Sequence, residues 1–403
     1  MKYVIVHAGG MADQPQQELG GRTPLQASAT PHLDRLAQSG ELGPLVFATD
    51  GVRSGSGLSG AAILGYDPKK YYQGPGPLEA ASLGVSATEQ DAVYRCTLVT
   101  LRPDGGKGGG EIKKLGSHVL MDDATAGLIE TEEARELIEA INEQLGSETI
   151  QFYPGAGHRH LMVWVGGVAR AVCVDPQTLL GRSITEALPT GDGADILRTL
   201  MDASYFILRD HPVNKEREAA GKKPANCAWL WGEGRAVLWP SLTEKYRVTG
   251  AVVATSDVHR GLGICAGLDA ADTERLAGDH LQAKAAVALE EFAKKDFVYV
   301  HAGLTDEVVH GAEIKAKVRG IEEFDRDLVG PLVEGLAKQG PYRFLVVCDQ
   351  GEGVLGHAFY AFGEGGGKSS ASTGRRFTEA DAQAANQPAR DATKFMHKFF
   401  AKG

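Results

Sequence analysis

The chain has 403 residues, of which 43% are hydrophobic and 23% are charged, and its formal net charge is −10. This composition is typical of a soluble globular protein, and the length allows two domains with a large core. The negative charge is not offset by any basic tract, which argues against nucleic-acid binding. A small anionic substrate remains compatible with it, because arginines and lysines can reverse the field locally.

The cysteine pattern and the apolar segments indicate a compartment. The five cysteines are scattered without a CxxC pair, which favours reduced thiols in the cytoplasm. The apolar start of the chain is too short for a signal peptide, and no apolar run approaches membrane-spanning length. We therefore expect a cytoplasmic protein with no membrane partner, and the sequence does not indicate an oligomeric state.

The first elements in chain order are a strand, a turn and a helix. Residues 3–7 are apolar and mostly β-branched, which predicts a buried parallel strand ending at a pair of glycines. Thr30 followed by Pro31 predicts the start of an amphipathic helix, with Thr30 as its N-cap. The glycine- and serine-rich residues 54–60 predict a flexible loop.

After residue 68 the pattern changes. Residues 90–240 alternate short strands with helices, which predicts an α+β insert. The expected strands are 93–101, 160–165 and 169–174, and the expected helices are 131–144 and 194–208. From residue 250 an α/β pattern resumes, with strands at 251–254, 296–301, 343–348 and 358–362 and a mobile loop at 363–370. The order of elements predicts an α/β fold.

Candidate metal ligands follow the predicted strands. Asp306 and His310 are four residues apart, which places a carboxylate and an imidazole on one helix face, although an exposed ion pair would show the same spacing. Asp349 follows a strand that ends at Cys348, and His357 comes shortly afterwards. Because open α/β sheets carry their sites at the carboxyl ends of strands, these segments are expected to converge on a metal site.

Motifs spread along nearly the whole chain point to one family. They are residues 10–13 (GMAD), 64–68 (LGYDP), 76–81 (GPLEAA), 210–214 (DHPVN), 229–234 (WLWGEG) and 376–379 (RFTE). Together they resemble the archaeal-type 2,3-bisphosphoglycerate-independent phosphoglycerate mutases of the alkaline phosphatase superfamily. The resemblance implies a phosphatase-like metal-binding domain, a sandwich of a mostly parallel sheet and helices, at residues 1–74 and 245–403. A transferase-like α+β substrate domain would be inserted at residues 75–244.

The resemblance also implies the catalytic centre. In the family a serine is transiently phosphorylated between two divalent ions, usually manganese. Ser56 matches this nucleophile, and Asp306, His310 and His357 match the ligands of one ion. We therefore expect at least one divalent ion, Mn²⁺, Zn²⁺ or Mg²⁺, and no 2,3-bisphosphoglycerate.

The second ion has an incomplete ligand set. Asp349 and the serine match two of its four expected ligands, but Gly9 stands in place of an aspartate and Gln350 in place of a histidine. Other phosphate-binding or proton-transfer positions differ as well, with Arg260 in place of a lysine. The remaining differences are Pro75, Gly303 and Gly311, in place of arginine, lysine and aspartate. These differences predict one metal ion and altered chemistry.

The remaining candidates bind substrate or activate the serine. Positions in or near the family's substrate cleft are occupied here by Arg95, Arg159, Asp210, Asn214 and Arg260. Arginines there would bind phosphate or carboxylate, although a surface salt bridge explains any one of them equally well.

With one ion, activation of the serine would come from that ion, from His7 or from His259. His259 lies beside Arg260 after a strand and is a candidate catalytic residue together with it. His7 at the end of a strand is also explained as a core histidine.

The leading hypothesis is a metal-dependent enzyme that transfers a phosphoryl or phosphonyl group on a small phosphorylated or phosphonylated carboxylic acid. Specialised metabolism such as phosphonate or phosphinate biosynthesis would fit this chemistry. One alternative is an active mutase that interconverts 3-phosphoglycerate and 2-phosphoglycerate. Others are a lyase with one metal ion and a non-catalytic binding protein.

Overall fold

The computed structural model describes residues 1–47, 57–105, 112–116, 118–272, 274–303, 314–349, 358–365, 374–385 and 387–401. The chain forms two compact units. One consists of Met1–Tyr72 and Trp239–Gly403, and the other of Gln73–Leu238.

The described strands, in chain order, occur in both units. They are β1 (Lys2–Ala8), β2 (Glu41–Val46), β3 (Ala92–Pro103), β4 (Val119–Asp123), β5 (Ile150–Tyr153), β6 (Arg159–Trp164), β7 (Arg170–Val172), β8 (Thr190–Asp192), β9 (Cys227–Arg235), β10 (Gly250–Val253), β11 (Asp269–Ala270), β12 (Phe297–His301), β13 (Tyr342–Cys348), β14 (Ala358–Gly365) and β15 (Arg390–Asp391).

The described α-helices range from one turn to four. They are α1 (Pro24–Ala27), α2 (Pro31–Ser39), α3 (Leu58–Ile63), α4 (Pro68–Tyr71), α5 (Pro75–Leu83), α6 (Thr131–Leu145), α7 (Ala194–Leu208), α8 (Pro212–Ala219), α9 (Leu242–Tyr246), α10 (Asp257–Cys265), α11 (Leu281–Glu291), α12 (Ile314–Phe324), α13 (Gly330–Ala337), α14 (Glu379–Ala384) and α15 (Ala392–Phe400). A π-helical segment, Asp325–Val329, joins α12 to α13. Among the described helices, none has the length and apolar character needed to span a bilayer.

The first unit contains an eight-stranded sheet in the order β11-β10-β12-β1-β13-β14-β2-β15. Strand β14 runs antiparallel to both of its neighbours, and the other described pairings in the sheet are parallel. The central strands are buried along nearly their whole length, as expected for parallel strands covered by helices on both faces. The predicted fold class, α/β with a large and mostly parallel sheet, is confirmed.

The second unit is an α+β arrangement around strand β3. This strand pairs antiparallel with β6 and β9 along its first part and with β4 over residues 100–103. Apolar side chains of the sheet and of helices α6 and α7 share one core, which includes Leu137, Leu197 and Trp229. The Trp229 indole donates a 2.8 Å hydrogen bond to the carbonyl of Val174, which satisfies its buried N–H.

Helix α2 begins at Pro31, as the sequence predicts, but Thr30 does not cap it. The carboxylate of Asp325 takes this role from the π-helical segment. It accepts hydrogen bonds from the backbone N–H of His32 at 3.1 Å and of Leu33 at 2.7 Å. A tertiary contact has therefore replaced the local cap, and no local sequence pattern around Thr30 encodes that contact.

Two predicted loops are shorter than expected. Helix α3 begins at Leu58, inside the predicted loop 54–60, and its residues are mostly buried. Strand β14 extends to Gly365 by pairing with β13, so that residues 363–365 are strand and not loop. The remaining parts of both predicted loops, residues 54–56 and 366–370, lie outside the described residues.

Candidate functional site

Three neighbouring parallel strands end at one edge of the large sheet and carry polar side chains there. His7 near the end of β1 is the register partner of His301 at the end of β12. On the other side of β1, Ala8 is the partner of Cys348, so Asp349 directly follows the end of β13. This is the edge where open α/β sheets place their sites, as the sequence predicts.

Asp349 is tied to the turn that follows β1. Its side chain is buried and accepts a hydrogen bond from His7 Nε2 at 2.9 Å and one from the backbone N–H of Gly10 at 3.3 Å. Its backbone carbonyl accepts from Ala12 at 3.1 Å. Gly10 has a φ of +75°, the left-handed region that favours glycine and lets the turn close over the carboxylate.

A second feature of this edge is a cluster of three imidazoles. The ring nitrogens that His7, His259 and His301 can offer to an ion all lie within 4.8 Å of one another. The rings of His259 and His301 stack, with centroids 3.4 Å apart and planes 6° apart. His259 comes from helix α10, which follows β10, so separate segments supply the three side chains.

Hydrogen bonds orient two of the three rings. Nδ1 of His7 lies 2.9 Å from the hydroxyl oxygen of Tyr299, and Nδ1 of His259 lies 3.1 Å from Oγ of Ser256. For His301, no hydrogen-bond partner occurs among the residues that the structure describes.

Burial keeps the rings of His259 and His301 in the form that binds cations. It lowers the pKa of both residues well below the ordinary value, and repulsion from the neighbouring imidazoles and Lys284 lowers it further. The pKa of Tyr299 is raised well above its usual range by burial and by the Asp349 charge. Both stacked imidazoles are therefore neutral, which is the form in which histidine ligates metals.

Several predicted site residues lie outside the described residues. They are the candidate nucleophile Ser56, the metal ligands Asp306, His310 and His357, and the positions Gln350 and Gly311. Of the predicted metal ligands, Asp349 is described. The assignment of these residues remains a prediction.

The predicted substrate-binding residues of the second unit have different environments. Arg95 on β3 is mostly buried, pairs with Glu79 at 2.7 Å and lies over the Trp231 ring at 4.7 Å. Arg159 is exposed at the start of β6. Asp210 is exposed and pairs with the adjacent Arg209 at 3.0 Å.

Asn214 has a structural role. It is fully buried, and its amide group donates to the carbonyls of Leu208 at 2.8 Å and Ala225 at 2.9 Å. Its side-chain oxygen accepts from the backbone N–H of Ala225 at 2.8 Å. Since these bonds use both amide hydrogens to hold a helix end against the chain before β9, we do not retain Asn214 among the proposed substrate ligands.

The structure also brings forward residues that the sequence analysis did not select. His301 and Tyr299 belong to the imidazole cluster, although they appear in the sequence only as part of an apolar strand. The signal was present, because two strands that become neighbours, residues 3–7 and 297–301, both end in histidine. Arg260, predicted as a catalytic and substrate-binding residue, follows His259 on helix α10 and is half-buried.

Two motifs distant in the sequence meet near this edge. The backbone N–H of Asp13 donates to Glu379 at 3.2 Å, and the Asp13 carboxylate pairs with the buried Lys317 at 2.7 Å. Glu379 also accepts from the hydroxyl of Thr23 at 2.8 Å. Residues 10–13 and 376–379 thus support the turn that carries Gly9 and Gly10.

Comparisons with known proteins agree with this architecture. The family model for 2,3-bisphosphoglycerate-independent phosphoglycerate mutase matches residues 37–214. The chain is 43% identical over 352 residues to a Geobacter sulfurreducens protein named "Probable 2,3-bisphosphoglycerate-independent phosphoglycerate mutase". This alignment covers 87% of this chain and 86% of that protein. It is 38% identical over 354 residues to the 2,3-bisphosphoglycerate-independent phosphoglycerate mutase of Methanosarcina barkeri, covering 87% of this chain and 85% of that protein.

Solved structures have the same fold. The cofactor-independent phosphoglycerate mutase of Thermoplasma acidophilum aligns over 100% of both chains with a TM-score of 0.62 and 25% identity. The PH0037 protein of Pyrococcus horikoshii aligns with a TM-score of 0.72 and 23% identity, over 99% of this chain and 97% of that chain. This chain belongs to the 2,3-bisphosphoglycerate-independent phosphoglycerate mutase family.

Proposed function

We propose that this protein catalyses metal-dependent phosphoryl transfer on a small phosphorylated carboxylic acid, with the interconversion of 3-phosphoglycerate and 2-phosphoglycerate as the first reaction to expect. The relatives named as mutases cover nearly the whole chain, which supports this choice over a reaction restricted to specialised metabolism. Because those relatives are named as independent of 2,3-bisphosphoglycerate, we propose the same for this protein.

The observation that carries the proposal is the position of Asp349. A buried carboxylate follows a parallel strand at the sheet edge, is held by an imidazole and a backbone N–H, and faces the turn after β1. A carboxylate oxygen held in this way is a donor that fits a divalent cation. Such an ion would supply Lewis-acid stabilisation of the charge that develops on a transferred phosphoryl group.

The proposed roles of the other residues follow from the resemblance. Ser56 would accept the phosphoryl group, and the metal ligands would be Asp306, His310, His357 and Asp349, with Mn²⁺, Zn²⁺ or Mg²⁺ as the divalent ion. The residues proposed to bind the anionic substrate are Arg95, Arg159, Arg260 and Asp210. We also propose that the metal ligands belong to a phosphatase-like domain and the substrate ligands to an inserted transferase-like domain.

Arg95 is the best supported of the substrate ligands in the second unit. Its guanidinium is held by Glu79 and by the Trp231 ring, so its position is fixed before any ligand arrives. A fixed guanidinium loses little conformational entropy when it binds a phosphate or a carboxylate. Glu79 neutralises part of its charge, which favours a role in orienting the substrate.

A second candidate function is phosphoryl or phosphonyl transfer on a different acid, such as an intermediate of phosphonate or phosphinate biosynthesis. Gly9 favours it, because the resemblance implies an aspartate at this position and the described turn offers no side chain there. Under this candidate the fold and the ion are retained while the substrate differs. A lyase reaction with one ion and a non-catalytic binding role are the outcomes left if neither reaction is observed.

The test is turnover of 3-phosphoglycerate by protein supplied with Mn²⁺, followed as 2-phosphoglycerate formed. Ser56→Ala should lower kcat by about 1,000-fold or more, since the nucleophile is lost. Ser59→Ala, a matched change in helix α3, should leave kcat nearly unchanged. Absence of turnover, with turnover of a phosphonylated acid observed by ³¹P NMR, would favour the second candidate, and no turnover of either substrate class would contradict both.

A further inference from the structure

The three imidazoles at the sheet edge form a donor set that differs from the one implied by the family resemblance. That resemblance assigns the second ion to the positions of Gly9, Ser56, Asp349 and Gln350, and none of these supplies a histidine here. The cluster instead takes His7 from β1, His301 from β12 and His259 from α10.

The cluster brings three possible donor atoms close together. One ring nitrogen from each of the three histidines can be chosen so that these atoms lie within 4.8 Å of one another. Three imidazoles bound to a tetrahedral ion at about 2.1 Å place their nitrogens roughly 3.4 Å apart. Because the rings of His259 and His301 are stacked and nearly parallel, their in-plane lone pairs do not converge, and at least one of these rings must rotate about its side-chain bonds before both can bind one ion.

The surroundings of two of the three rings, His7 and His259, match those of metal-binding histidines. Such residues usually present one nitrogen to the ion and use the other in a hydrogen bond that fixes the ring, commonly to a carboxylate. His7 donates from Nε2 to Asp349, and Nδ1 of His259 contacts the hydroxyl of Ser256. Nδ1 of His7 and Nε2 of His259 are then the atoms to face an ion.

One contact competes with metal binding. The Tyr299 hydroxyl lies 2.9 Å from Nδ1 of His7, at the nitrogen that an ion would use. The raised pKa of Tyr299 keeps this hydroxyl protonated, so it acts as a hydrogen-bond partner of His7 and not as an anionic ligand. An ion would have to displace the hydroxyl from His7.

Gly9 leaves the space that His301 needs. A Cβ atom at position 9 would lie 3.3 Å from Nε2 of His301 and 3.9 Å from Oδ1 of Asp349. A carboxylate side chain at this position would extend into the same region. The glycine and the histidine cluster are therefore compatible with each other, whereas an aspartate and the cluster would compete for the same volume.

The local charge acts in both directions. Lys284, buried in α11, adds positive charge that contributes to the lowered pKa values of His259 and His301. The Asp349 carboxylate opposes it beside His7. The affinity for a cation depends on this carboxylate, and the neutral rings prefer an ion that binds nitrogen strongly.

We propose that His7, His259 and His301 form a second cation site that takes a nitrogen-preferring divalent ion such as Zn²⁺, Co²⁺ or Ni²⁺. Imidazole donors suit these ions, whereas Mn²⁺ and Mg²⁺ prefer carboxylate and water oxygens. The site does not depend on the proposed function, because it rests on described side chains and not on Ser56 or on the identity of the substrate.

The test uses full-length protein carrying His310→Ala and His357→Ala, which removes the histidines of the other predicted metal site. After metal removal, Co²⁺ is titrated and its visible absorption bands report nitrogen coordination and stoichiometry. We expect one Co²⁺ per chain, and a further His259→Gln or His301→Gln change should raise its Kd by about 100-fold or more. The matched change at the exposed His280, His280→Gln, should leave Kd unchanged.

Two additional measurements keep the test decisive. Tyr299→Phe should lower the Kd for Co²⁺, because it removes the competing hydroxyl, and an unchanged or higher Kd would contradict the assigned geometry. If the glutamine variants do not fold, Cu²⁺ is bound to the protein that carries only His310→Ala and His357→Ala. Pulsed EPR then detects couplings to imidazole nitrogens, and the presence of these couplings supports the site. Absence of Co²⁺ binding, absence of these couplings, or binding that persists in folded His259→Gln and His301→Gln would overturn the proposal.

Discussion

The buried histidine His160 makes the stability of the second unit depend on pH. It lies on β6 with a 2% exposed surface, and its Nδ1 accepts a 3.0 Å hydrogen bond from the backbone N–H of Gly155. Burial, with a smaller contribution from His158, lowers the pKa of His160 to about 3 from an ordinary value of 6.5. Protonation would break the bond to Gly155 and place a charge in the core.

The sign and size of the effect follow from proton linkage. The pKa is lower in the folded chain, so the stabilising contribution is present above pH 6.5 and is lost as the pH falls towards 3. At about pH 5 the unfolded chain binds this proton almost completely while the folded chain does not. The free energy of unfolding should therefore be about 2 kcal/mol lower at pH 5 than at pH 8 because of this residue alone.

The assay is urea unfolding followed by tryptophan fluorescence, since Trp164, Trp229 and Trp231 of the four tryptophans lie in this unit. His160→Asn removes the titrating group and keeps an acceptor for Gly155. The free energy of unfolding that this variant loses through its smaller side chain should be nearly the same at both pH values.

The comparison is made between the two pH values for each protein. The wild type should lose about 2 kcal/mol more than His160→Asn on acidification, and the change at an exposed histidine, His118→Asn, should behave as the wild type does. Equal losses in the wild type and in His160→Asn would refute the reasoning.

Three further predictions concern metal binding, packing and substrate binding. Gly9→Asp should make the metal-free protein about 1–3 kcal/mol less stable than the wild type through crowding, and it should raise the affinity for Mn²⁺. Gly9→Ala should show the loss of stability without the gain in Mn²⁺ affinity. Equal Mn²⁺ affinities of Gly9→Asp and the wild type in calorimetry would contradict this prediction. Arg217→Met should lower the free energy of unfolding by about 3–5 kcal/mol in urea titrations, because the Glu133 carboxylate, the buried carbonyl of Ala126 and the partly buried carbonyl of Lys223 lose the guanidinium that they now bind. A matched change at an exposed position, Arg135→Met, should alter it by less than about 0.5 kcal/mol. Arg95→Lys should raise KM for the phosphorylated substrate by about tenfold with a smaller change in kcat, and Arg102→Lys near the other end of β3 should leave both unchanged; an effect confined to thermal stability would indicate a structural role instead.

Local patterns predicted the regular elements well. Helix α7 spans Ala194–Leu208, the range that its apolar periodicity indicates, and the buried runs at residues 3–7 and 343–348 lie within β1 and β13. These elements are determined by hydrophobic spacing over many residues, which a single sequence displays directly. The start of α2 shows the limit, because the cap comes from Asp325, about three hundred residues away in the chain.

The candidate site was harder to predict because it is a product of strand register. His7 and His301 are separated by almost the whole chain, and they become neighbours because β1 pairs in parallel with β12. Asp349 was found from its position after an apolar strand, whereas Asn214 was selected by resemblance and is engaged with backbone groups. Position in a motif therefore pointed to this sheet edge, and the packing shows which of the described side chains lie beside one another there.

The most direct test of the proposed phosphoryl transfer is the mass of the protein after brief incubation with 3-phosphoglycerate and Mn²⁺. We predict a gain of one phosphoryl group, mapped by peptide analysis to Ser56, that is absent without metal and absent in Ser56→Ala. Turnover of the substrate with no such adduct in rapidly quenched samples, or an adduct on a different residue, would contradict the account.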